Sequence, residues 1–157
     1  MNIIETLIKA KEYYDKGETC TIRLHNLTSN SIYFNSIGTN KDFEAATPPP
    51  LSIKAKEYGD TILNASKFWS STLNLLYNVY HSNNTYVIHI NYIWEEKAKG
   101  EIQVKIYDQN NDLLIPQKEN FVGLFKTYQI KNSKIPFHIN YMASGDFIEL
   151  EIEDNNL

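Results

Sequence analysis

From Thr19 the chain alternates. Cys20, Ile22 and Leu24 fall on one side of an extended backbone, and Thr21, Arg23 and His25 fall on the other. The same two-residue period returns at Ser31–Ile37, Thr61–Leu63, Leu73–Tyr80, Thr85–Ile93, Glu101–Tyr107, Ile135–Met142 and Phe147–Ile152. Between these runs lie turn-forming clusters: Asn26–Asn30, Thr47-Pro48-Pro49-Pro50, Ser82-Asn83-Asn84, Lys99-Gly100, Asp108–Asp112 and Ser144-Gly145-Asp146. Many short strands punctuated in this way predict an all-β antiparallel sandwich, with Leu73–Tyr80 and Thr85–Ile93 as its central hairpin. Cys20, Ile22, Leu24, Leu75, Tyr77, Ile88, Ile90, Val104, Ile106, Ile139, Leu150 and Ile152 are the predicted core, because a one-residue slip of any strand would expose its whole apolar set.

Only the first residues break the period of two. Asn2 to Lys16 read as a short amphipathic helix closed by Gly17, with Ile3, Ile4, Leu7, Ile8, Ala10 and Tyr14 on one face and Lys11 and Asp15 intruding on it. Fifteen such residues span about 22 Å, against about 30 Å of bilayer hydrocarbon. The expectation is therefore that Ile3, Ile4, Leu7 and Ile8 seal one face of the sandwich, and that the helix detaches if a membrane recruits it. The chain reads as one domain over residues 1–157, with the helix in 1–17 and the sandwich in 19–153; no repeat, linker or second domain is evident.

Composition narrows the functional classes. A net charge of −4 argues against bulk attraction to nucleic acid or anionic lipid, both of which call for positive charge. Cys20 is the single cysteine, which excludes an intrachain disulfide. No stretch is long and apolar enough for a transmembrane span, and no basic-then-apolar leader opens the chain. Three Asn-X-Ser/Thr triplets, beginning at Asn26, Asn64 and Asn83, are read as chance in an Asn-rich sequence.

Enzyme chemistry is hard to find. His25, His81, His89 and His138 have no metal-ligand spacing, no Gly-rich phosphate loop occurs, and no signature sets a nucleophile on a sharp turn. Glu149, Glu151 and Glu153 alternate with Ile148, Leu150 and Ile152, which reads as the solvated face of an edge-like strand. The reading is of a non-enzyme with neither metal nor cofactor.

The aromatics carry more. They make up 13% of the chain and eleven of them are Tyr, a side chain suited to half-wet surfaces as well as to cores. Tyr92, Trp94, Phe121, Phe125 and Tyr128 fall at strand ends or between strands. Trp94 ends an alternating strand directly before Glu95-Glu96-Lys97, which points to a ring beside a polar loop. Trp69 reads as core, and Pro48-Pro49-Pro50 as a rigid crossing over one end of the sandwich.

The order of these features resembles the actinoporin-like cytolysin and lectin superfamily: sea-anemone actinoporins, fungal fruit-body lectins, aegerolysins and bacterial thermostable direct haemolysins. The helix, the strand Thr21-Ile22-Arg23-Leu24-His25-Asn26, the Pro crossing, the long hairpin, Ile102–Tyr107 and the closing hairpin through Ser144-Gly145 carry the likeness across nearly the whole chain. Asn120-Phe121-Val122-Gly123, Ile130, Pro136, Tyr141 and Ser144-Gly145 are most similar to the haemolysin C-terminal region. The resemblance implies a sandwich that docks on a membrane lipid or glycan and assembles into a pore. By the same resemblance, the head-group site falls on Ser66, then Tyr92 and Trp94, then Phe121, Phe125 and Tyr128. Phe replaces Tyr in the later cluster, Glu95-Glu96 makes the loop acidic, and the Arg-Gly-Asp motif common in that superfamily is absent.

Three functions remain open. The first is a membrane-binding, pore-forming cytolysin that is released, acts at a target membrane and forms homo-oligomers there. The second is a lectin-like carbohydrate- or lipid-binding module without pore activity. The third is the small component of a two-component toxin, which needs a second toxin component as partner. None of them involves nucleic acid.

Overall fold

The computed structural model describes residues 3–8, 19–39, 43–65, 71–95, 99–122, 126–144 and 147–155. Among them are a helix, α1, over residues 3–8 and twelve strands in two six-stranded sheets. In chain order the strands are β1 (Thr19–Leu27), β2 (Ile32–Thr39), β3 (Phe43–Thr47), β4 (Ser52–Ile53), β5 (Tyr58–Ala65), β6 (Ser71–His81), β7 (Asn84–Glu95), β8 (Lys99–Tyr107), β9 (Leu113–Val122), β10 (Lys126–Ile130), β11 (Phe137–Ser144) and β12 (Phe147–Asp154). Sheet A runs β10-β11-β12-β1-β5-β3, and sheet B runs β4-β2-β6-β7-β8-β9.

Among the described residues every pairing is antiparallel except one: β1 and β12 run parallel side by side, Arg23 opposite Glu149 and His25 opposite Glu151. The first and last strands therefore sit together in the middle of sheet A. That placement overturns the edge-strand reading of the Glu series. β12 has β11 on one flank and β1 on the other, and Glu149 and Glu151 are only 6% and 5% exposed.

The core lies between the sheets where alternation puts it. All twelve residues of the predicted core are buried, none more than 2% exposed. The central hairpin is closed by Ser82 and Asn83, at φ 48° and 66°. Two successive positive φ angles make the turn whose twist matches that of its strands. The Pro crossing is held from inside by the buried Tyr77, whose hydroxyl donates to the Pro50 carbonyl at 2.7 Å. Burial holds the Tyr77 phenol well above its ordinary pKa. Gly59 lies directly beneath this crossing; a Cβ there would come within 2.5 Å of Pro50 Cγ, so the close approach needs glycine.

β3, β4, β9 and β10 were not foreseen as strands, and each lies at or next to a sheet edge. One topological consequence positions the rest of the molecule. The turns at 28–31, 54–57, 82–83, 108–112 and 131–136 join strand ends at one end of the sandwich. The strand ends at Thr39 and Phe43, Ala65 and Ser71, Glu95 and Lys99, Val122 and Lys126, and Ser144 and Phe147 lie at the other.

Candidate functional site

Alternation in sheet A sends Arg23, Asp60, Glu149, Glu151 and Met142 to the side away from the core. Register sets Arg23 between Asp60 on β5 and Glu149 on β12. The Arg23 guanidinium grips Asp60 with two bonds, Nε to Oδ1 at 2.7 Å and the terminal nitrogen to Oδ2 at 2.9 Å. It also lies 4.1 Å from the centre of the Tyr58 ring and 5.8 Å from that of Phe147. The Asp60 hydrogen bonds raise the Arg23 pKa above its ordinary value; burial opposes this, and the charges of Asp60 and Glu149 add to it. A fork gripping a carboxylate over aromatic rings is how a protein keeps a cation on a nearly dry surface.

Helix α1 lies against this face. Thr6, 4% exposed, donates its hydroxyl to Glu149 Oε2 at 2.7 Å. The apolar residues point away. Ile3, Ile4, Leu7 and Ile8 are 54%, 73%, 41% and 56% exposed, so the expectation that they seal the sandwich is wrong. At 100° per residue these four share one side, and Thr6 falls on the other; the polar residue docks and the aliphatic face looks outward. Beside α1 is a groove of about 450 Å³, bordered by Ile3, Tyr128, Gln129, Asn140, Met142 and Glu151.

The six residues expected to form a head-group site do not all gather. Tyr92 is fully buried, paired with Leu73 and Ile102, and belongs to the core. The same alternation that places Ile88 and Ile90 inward places Tyr92 inward, so the signal was present in the sequence. Tyr128 is half-buried on edge strand β10, stacked on Tyr141 with ring centres 4.9 Å apart. Trp94 and Phe121 are brought into one row, since Trp94 pairs with Gly100 and Gly100 with Phe121. Their backbones are two strand spacings apart, about 10 Å, across a residue that has no side chain. Ser66 and Phe125 lie outside the described residues, as do Trp69 and residues 9–18, which include Lys11 and Asp15. The row belongs to the end of the sandwich at which β1 begins.

Sequence reasoning missed the Thr6–Glu149 and Arg23–Asp60 contacts, because which strands are neighbours is invisible in a strand's own pattern. Among the described residues no helix is long and apolar enough to cross a membrane, and no three His, Cys, Asp or Glu side chains gather as metal ligands.

No known protein family matches the sequence, and no curated protein matches it. The fold does have a counterpart. The chain is similar to the crystal structure of the lipid binding protein Nakanori, with a TM-score of 0.57 over 98% of this chain and 80% of that one, at 12% sequence identity. At that identity the likeness establishes the architecture and nothing finer.

Proposed function

We propose that the protein binds membrane lipid, entering the interface with the aliphatic face of α1. The observation that carries this reading is the orientation of the helix, with four large aliphatics turned to solvent and the hydroxyl of Thr6 turned to protein. A helix that only completed a fold would do the reverse. Exposed apolar surface of this kind marks an interaction site. Nakanori, whose architecture this chain shares, is a lipid binding protein, which favours lipid as the partner.

Magnitudes say that the helix does not act alone. Moving four half-exposed aliphatic side chains into hydrocarbon gains on the order of 4 kcal/mol. That is less than one myristoyl chain, itself a marginal anchor. A second contact, beyond the four side chains of α1, is therefore required. In this reading the protein performs no catalysis, needs no cofactor, and acts at the exposed surface of a target membrane, in the manner of the actinoporin-like superfamily. Perforation is an extension of the same reading. Six described helical residues span about 9 Å, so a pore requires more of the N-terminus, several copies and a thinned bilayer.

The test is co-sedimentation with phosphatidylcholine vesicles of varied sphingolipid and sterol content, with dye release measured in parallel. Wild-type protein is expected to sediment with vesicles. Ile4→Glu/Leu7→Glu should lose binding at least about tenfold with little change in Tm, because both side chains are already exposed. Binding that survives this change would remove the helix from the function. Binding without dye release would leave a lipid-binding module.

A further inference from the structure

We infer that a second site, at the turn end of the sandwich, takes a saccharide. It is an open groove of about 680 Å³ between the turn after β1, the turn after β4 and the last residues of β6. Beside Ala55 its apolar lining is two rings, Tyr33 and Tyr80, 46% and 41% exposed, edge to face with centres 5.6 Å apart. Around them stand Ser29, Asn30, Ser31 and Lys54. The Tyr33 and Tyr80 hydroxyls, the Ser31 hydroxyl and the Lys54 ammonium have no hydrogen-bond or ion-pair partner among the described residues.

The walls are built more firmly than a connecting turn requires. Asn26 is fully buried, and its amide nitrogen donates to the Asn30 carbonyl at 2.8 Å and the Ile53 carbonyl at 2.9 Å, joining two of the three segments. Its amide oxygen accepts from the Thr28 hydroxyl at 2.6 Å. Ser29 gives both its backbone N–H and its hydroxyl to Asp154, at 2.9 and 3.0 Å, which fixes the turn to the end of β12. Asn30 Nδ2 reaches the Tyr80 carbonyl at 3.3 Å, tying in the third segment. Lys56, at φ 70°, donates its backbone N–H to the Asn26 carbonyl at 2.6 Å and its ammonium to the Leu27 carbonyl at 3.1 Å.

A rigid frame presenting two half-exposed rings and several uncommitted donors is preorganised for a ligand, which lowers the entropy cost of binding. The ligand must offer an apolar face to the rings and a rim of hydroxyls to the donors. A pyranose does both, its axial C–H bonds on one face and its hydroxyls at the edge. A bare membrane surface, the rival occupant, would favour a broader apolar patch than two rings set among amides and hydroxyls. The saccharide can come from a free or protein-linked glycan, or from the head of a glycolipid. This inference does not rest on the lipid reading of α1.

The experiment applies wild-type protein, Tyr33→Ala, Tyr80→Ala, Tyr33→Phe, Tyr80→Phe and Ile4→Glu/Leu7→Glu to immobilised hexose- and N-acetylhexosamine-terminated oligosaccharides. The same proteins are applied to phosphatidylcholine vesicles with and without glycolipid. The inference expects wild type to be retained by at least one saccharide, a loss of about tenfold or more in each alanine variant with unchanged Tm, and smaller losses in the phenylalanine variants. The helix variant should bind that saccharide as wild type does. Glycolipid vesicles capturing the helix variant would identify the lipid-borne source. No retention on any saccharide overturns the inference, as does retention unaffected by the alanine changes. Loss of plain phosphatidylcholine binding in the tyrosine variants, with no sugar bound by wild type, overturns it in favour of a membrane contact.

Discussion

The outer faces of the two sheets have the same kind of sequence and different surroundings. On sheet B the polar positions form a wet ladder in which neutral side chains bond to one another, with Lys105 beside His89. Asn74 Oδ1 receives Asn91 Nδ2 at 2.7 Å and lies 2.8 Å from His89 Nε2, Asn35 donates to Asn78 at 2.9 Å, and His89 stacks on Tyr107. These side chains are half-buried or exposed. On sheet A the corresponding positions hold Arg23, Glu149 and Glu151, none more than 8% exposed, under a helix that shows its apolar side to solvent. On sheet A, buried charge lies under a helix that holds on by a polar residue and turns its aliphatics outward. Alternation therefore reports which residues avoid the core, and says nothing about whether they are wet.

The two faces should respond unequally to mutation. The largest effect is expected for Arg23→Ala, which removes the cation between Asp60 and the buried Glu149 and should cost about 3 kcal/mol in urea unfolding. Lys105→Ala on the face of sheet B should stay within about 0.5 kcal/mol. Equal costs would erase the distinction between the faces.

Next is Thr6→Val, which keeps the shape of the side chain and removes its bond to Glu149. Hydrogen bonds to charged groups contribute about 1.5–3 kcal/mol. Amide exchange over residues 3–8 should therefore speed up at least about tenfold while the global Tm moves little. Unchanged protection would show that something other than this bond holds the helix.

How much of this was readable beforehand follows from what a strand's own pattern contains. Inward positions were legible because the period of two is local. The central hairpin was legible because its turn chemistry is local too. The resemblance puts Tyr92 in a head-group site, whereas its parity with Ile88 and Ile90 puts it in the core, where it lies. The burial of Glu149 and Glu151 was not legible, since it depends on β12 lying between β11 and β1, 120 residues or more from its parallel partner. The outward face of α1 was not legible either. Amphipathicity gives two faces and leaves open which one meets the protein.

The smallest expected effect sharpens the face of sheet B. Burial first, and Lys105 second, hold the His89 imidazole below its ordinary value of 6.5. Between that value and the folded one the unfolded chain binds more protons, so stability falls as pH drops through about 6.5 and levels off below the folded pKa. His89→Gln should flatten this part of the stability–pH curve. An unaltered curve would mean that the histidine is already fully hydrated in the folded state.

The central claim is that membrane lipid meets the outer face of sheet A through α1. Its most direct test is an environment-sensitive label on a single introduced cysteine, at Leu7 or at the half-buried Asn78 of sheet B, with aqueous quencher added before and after vesicles. Cys20 is fully buried and does not compete for the label. The account predicts that vesicles shield the Leu7 label from quencher and leave the Asn78 label unchanged. Shielding at Asn78 with Leu7 still quenched would contradict it.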